Sequence, residues 1–131
     1  IHRLVGRAMA PEMTPAWARL CLPFLAALML RDGRIDPRCF TQEQFADPAL
    51  AALAARVRLV ADGNPDPNAL FPQAITIGLA NGREQRIAIP ATLGSPEAPL
   101  LPAQTAAKLG LARELAGPGC NPRIFTDPLG Y

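Results

Sequence analysis

Few side chains in this 131-residue chain are suited to chemistry, and their spacing excludes several reaction classes at once. The only histidine is His2, at the chain end, and a Ser-His-Asp or Cys-His unit would have to use it. Nucleophilic catalysis of that kind is not expected. Cys21, Cys39 and Cys120 are odd in number and far apart, with no C-x-x-C pair and no histidine cluster. That pattern indicates neither a disulfide framework nor a zinc site. Cys21 reads as a small buried apolar residue rather than a nucleophile. No G-x-G-x-x-G or Walker loop is present. Gly94-Ser95 is a poor phosphate loop, because no helix N-terminus follows to help it. The run from Asp62 to Pro72 lacks the oxygen-ligand spacing and terminal Glu of an EF-hand. The residues thus point to no catalytic group, no metal and no cofactor.

One charged group stands out. Arg19 is the only charge between Glu12 and Arg31, in a stretch of Ala, Leu, Trp and Phe. A charge in such surroundings must find a partner or reach water. Two readings are open. The guanidinium sits in an exposed first turn or snorkels to the surface. Alternatively, it combines with a kink at Pro23 to shape a site for an anion, where its planar fork suits bidentate capture of a carboxylate. Lys108 reads as a solvated helix lysine, with a reach toward a site as the second option.

The stretch that positions Arg19 runs from Thr14 to Gly33. Thr14 is a helix cap, Pro15 fits the first turn, and Trp17, Leu20, Phe24 and Leu28 recur at helical spacing. A helix apolar nearly all round belongs in an interior, and Leu20 to Leu30 is shorter than the about 20 residues a membrane span needs. Pro23 cannot donate to the carbonyl of Arg19, so the helix is expected to kink there. Ile1 to Val5 is a candidate strand and Gly6 to Met13 a loop. Asp32-Gly33 and Asp36-Pro37 are turn chemistry, and Phe40 and Phe45 are expected to pin the following loop to the core. Asp47-Pro48 starts a short amphipathic helix carrying Leu50, Leu53 and Val57, with a strand following over Arg56 to Val60. Ala74 to Leu79 and Glu84 to Ile89 flank Asn81-Gly82 as a β-hairpin. Gly94 to Leu100 breaks the strand, Pro102 to Ala116 is a last helix, and Gly119 to Tyr131 is an extended tail.

Helices on one side of a small antiparallel sheet make an α+β, two-layer domain, assigned to residues 1–117 with 118–131 as tail. Half the residues are hydrophobic and the net charge is only +2. Arginines scattered without interleaved aromatics make a nucleic-acid surface a poor fit. No signal peptide precedes Ile1, so a cytoplasmic protein is expected; the start without Met suggests a segment of a longer chain.

Several of these segments together resemble a known family. A-R-L-C-L-P-F-L-A-A-L-M-L-R-D-G at Ala18 to Gly33 resembles the A-(K/Q/R)-F-S-L-P-Y-x-x-A-x-x-L-x-x-G segment of the MmgE/PrpD family. The likeness continues through Phe40, D-P-A-L-A-A-L-A-A-R-V at Asp47 to Val57, and the hairpin ending L-A-N-G-R. It extends to G-S-P-E-A-P-L at Gly94 to Leu100 and A-A-K-L at Ala106 to Leu109. Each motif is weak alone; their shared order is specific.

The resemblance implies the C-terminal lid of a two-domain lyase or isomerase, a bacterial 2-methylcitrate dehydratase or cis-aconitate decarboxylase relative. Its cleft would take small polycarboxylates and use acid/base side chains, without metal or cofactor. Most of those acid/base residues belong to the helical N-terminal domain, so no catalytic residue carries over. Arg19, at the basic or amide position of the motif, carries over as a substrate-binding residue. Cys21 and Phe24 replace the family's usual Ser and Tyr and remove two hydroxyls. The implied partners are the polycarboxylate, a helical domain on the same or another chain, and further copies of itself. A second reading is a non-catalytic binding or assembly module, since a lid without its helical partner exposes apolar surface.

Overall fold

The computed structural model describes residues 5–61, 63–66 and 72–126, which fall in two compact units, Ile1–Pro67 and Asn68–Tyr131. Five α-helices and one two-stranded antiparallel sheet among the described residues make the chain α+β, as its sequence indicates. None of these helices is long and apolar enough to cross a membrane.

In the first unit the stretch from Thr14 to Gly33 is two helices rather than one kinked helix. Helix α1, Pro15–Ala18, is capped by Thr14, whose Oγ1 accepts the Trp17 N–H at 3.2 Å. Helix α2, Leu22–Asp32, restarts with Pro23 in its first turn. Pro23 has no N–H for the Arg19 carbonyl, and a proline is best housed near a helix start. The chain therefore tightens between the two, with Leu20 N–H on Trp17 O at 2.9 Å and Cys21 N–H on Ala18 O at 3.2 Å. Gly33 ends α2 at φ +70°, a left-handed conformation suited to glycine, and donates to Met29 O at 3.0 Å.

Phe24, Ala27 and Leu28 on α2 share one buried face. They join Met13, Ala18, Cys21, Phe45, Leu50 and Ala54 in the core of this unit. Phe45 closes helix α3, Gln42–Phe45, while Leu50 and Ala54 lie on helix α4, Pro48–Ala54. Phe24 meets Phe45 edge-on at 5.4 Å and Phe40 at a tilt at 5.9 Å, so both phenylalanines pin the connection as expected. Asp36 opens the one-turn 3-10 segment Pro37–Cys39 by accepting the Arg38 N–H at 3.0 Å. Asp47 caps α4 through the N–H groups of Ala49 and Leu50 at 2.8 and 3.3 Å.

The strand expected at Arg56 to Val60 does not form. Arg56 and Val57 close α4 with bonds to Leu53 O and Ala54 O, and residues 57–61 join no ladder. Alternation of Val and Leu gives a face but does not by itself make a strand. The candidate strand at Ile1 to Val5 lies almost wholly outside the described residues, as does part of the Asp62 to Pro72 loop.

In the second unit β1, Gln73–Gly78, pairs antiparallel with β2, Glu84–Ile89, with Ile75 opposite Ile87 and Gln73 opposite Ile89. Gly82 turns the chain at φ +78°, and Asn81 Oδ1 accepts the Arg83 N–H at 3.1 Å. Ile75, Ile77, Ile87 and Ile89 share one face of this sheet. Helix α5 is Pro102–Ala116, its start braced by Gln104 Oε1 accepting the Leu101 N–H at 2.8 Å. Between Gly117 and Thr126 the chain is not simply extended, and the rest of the expected tail, residues 127–131, lies outside the described residues. Asn121 caps a 3-10 turn, Pro122–Phe125, through the Arg123 N–H at 3.0 Å, and the Arg113 guanidinium of α5 lies 5.5 Å over the Phe125 ring.

Candidate functional site

Arg19 stands at the C-cap of α1, in the tight turn that joins it to α2. Its backbone is held by the turn. The N–H bonds to Pro15 O at 3.3 Å, and the residues on either side of the Arg19-Leu20 turn, Ala18 and Cys21, are fully buried. The side chain points the other way. Arg19 is exposed, and its guanidinium makes no hydrogen bond or ion pair with the described residues. A cation free of internal carboxylates, on a base anchored in the core, can offer its fork to an external anion. The first of the two sequence readings thus describes where Arg19 sits, while the kink proposed in the second is a full helix break.

The loop before α1 braces this turn. The Cys21 thiol donates to Arg7 O at 3.2 Å, and the Arg7 guanidinium lies 5.5 Å over the Trp17 ring. Gln42 on α3 donates its side-chain amide to Pro11 O in the same loop. Burial pushes the Cys21 thiol up, against a smaller opposing contribution from the Phe24 N–H. A thiol held protonated in the core is a packing residue, not a nucleophile.

Three other arginines of this unit, Arg31, Arg34 and Arg38, pair with internal carboxylates. Arg31 bonds Asp32 at 2.7 and 2.9 Å, Asp47 at 3.0 Å and Gln44 at 2.7 Å, tying the end of α2 to α3 and to the α4 cap. The bond to Asp32 raises the Arg31 guanidinium further and lowers the Asp32 carboxyl. Arg38 grips Asp36 through Nη2 at 2.6 Å, with Arg34 at 3.7 Å beyond it. The side-chain and backbone hydrogen bonds from Arg38 hold the Asp36 carboxyl down at about 2. Sequence reading missed both clamps. The one usable signal was the basic residue in the last turn of α2, since Asp47 lies sixteen positions away.

Arg19 lines neither of two grooves found among the described residues. The first, of about 230 Å³, is walled by Gly6, Ala8, Met9, Pro23, Ala54 and Val57, with no titratable side chain to hold a carboxylate. The second, of about 340 Å³, lies in the other unit between Arg113, Gly117, Cys120 and Phe125. Lys108 is exposed on α5. Gly94 adopts φ +94° in a turn closed by its N–H on Ala98 O at 2.7 Å, so Gly94 and Ser95 shape the chain there. No cluster of three or more His, Cys, Asp or Glu among the described residues is placed to hold a metal.

The two departures from the family pattern both fall on buried positions. Cys21 is the N-cap of α2, where a serine hydroxyl caps a helix well, and Phe24 is enclosed by Phe40 and Phe45. In this chain those two side chains face the core, whereas the Arg19 side chain is exposed. A comparison with protein-family models matches residues 1–117 to the MmgE/PrpD C-terminal domain. No curated protein and no solved structure matches the chain.

Proposed function

This chain belongs to the MmgE/PrpD family, whose C-terminal domain it matches over residues 1–117, and on that premise we propose that it is the lid of a lyase or isomerase acting on small polycarboxylates. The chemistry of the whole enzyme is proton abstraction beside a carboxylate, followed by loss of water or carbon dioxide, or by reprotonation. Negative charge develops next to an anionic group in such a step, and a guanidinium on that group eases it. Arg19 supplies the guanidinium as an anion clamp. General acid and base come from a helical domain on the same or another chain, so the lid alone binds weakly and turns nothing over. A bacterial, cytoplasmic enzyme assembled from several copies accompanies this reading.

The observation that carries the proposal is the exposed Arg19 side chain, without an internal carboxylate, on a turn fixed between buried Ala18 and Cys21. The test is reconstitution. The chain is mixed with the helical domain of an MmgE/PrpD enzyme, and loss of a tricarboxylate is followed by proton NMR. Turnover that needs both parts and falls at least tenfold with Arg19→Ala supports the lid reading. Turnover unchanged by the substitution overturns the role of Arg19.

A second reading is a non-catalytic assembly module, and a specific observation favours it. Leu22, Met29 and Leu30 on α2 are 43, 46 and 61 % exposed, and Ile75 and Ile87 of the hairpin are 49 and 41 % exposed. Apolar surface of this extent drives association. Light scattering separates the readings: a module assembles stably by itself, whereas a lid assembles only with its helical domain.

A further inference from the structure

No further inference is drawn: the strongest candidate, the exposed apolar face of α2 formed by Leu22, Met29 and Leu30, carries none because nothing in the structure shows what covers it.

Discussion

Arg31 ties α2 to α3 and to the α4 cap, and Arg31→Met isolates what its guanidinium contributes. Methionine keeps a long stem over the same surface and removes only the charged head. Four hydrogen bonds are lost, to Asp32 at 2.7 and 2.9 Å, Asp47 at 3.0 Å and Gln44 at 2.7 Å. The Asp32 pair joins sequence neighbours and partly persists in the unfolded chain, so it adds little. The bonds to Asp47 and Gln44 join separate helices and vanish on unfolding. The Arg31 and Asp47 side chains are 29 and 28 % exposed, which screens the charges. Each long-range contact is therefore taken at about 0.5–1 kcal/mol, or about 1–2 kcal/mol for the substitution. Urea unfolding followed by Trp17 fluorescence measures it. Asp47→Asn keeps an acceptor for the α4 cap while removing the charge. A double-mutant cycle between the two is expected to show about 0.5–1 kcal/mol of coupling, shrinking in high salt. A single-mutant effect under about 0.3 kcal/mol with no coupling would refute the clamp as a contributor to stability.

Three further outcomes follow from the same geometry. The Asp36 carboxyl lies at about 2 when folded, below its ordinary value near 3.9 when unfolded. Its stabilisation is thus complete above pH 4 and lost as pH falls toward 2, and Asp36→Asn is expected to flatten that acid limb in unfolding against pH. Cys21 is buried with its thiol donated to Arg7 O, while Cys39 and Cys120 are partly accessible. A thiol reagent is expected to modify Cys39 and Cys120 in the native protein and Cys21 only after urea; equal rates would contradict its placement. Phe24→Ala is expected to cost about 3–5 kcal/mol by opening a cavity between Phe40 and Phe45. Leu30→Ala, at a residue 61 % exposed, is expected to cost far less, and similar losses for both would misplace the core.

Local backbone chemistry was the legible part of the sequence. Thr14-Pro15 and Asp47-Pro48 start helices, Gly33 ends one, Asn81-Gly82 turns the hairpin, and Pro102 to Ala116 is the last helix. These signals act within a few residues and need no tertiary partner. Whether Pro23 kinks a helix or splits it depends on distant packing. Burial of Ala18 and Cys21 and the Cys21 bond to Arg7 favour the tight turn, and neither shows in the run of letters. The strand read at Arg56 to Val60 failed because alternation of Val and Leu supplies a face without fixing a ladder. The tail read as extended holds a 3-10 turn at Pro122–Phe125, capped by Asn121, with Arg113 reaching the Phe125 ring. Arg19 was legible as an isolated charge in an apolar run. That its side chain faces outward while Cys21 and Phe24 face inward required the fold.

The most direct test of the central claim is calorimetric titration of citrate into the whole chain, beside Arg19→Ala and Arg19→Lys. Weak binding in the wild-type chain, lost in Arg19→Ala and reduced in Arg19→Lys, is the predicted result, because a lysine cannot make the bidentate contact. Binding that is equal in all three proteins would contradict Arg19 as the anion clamp. Absence of binding in the wild-type chain would remove Arg19 as an anion site in this domain by itself.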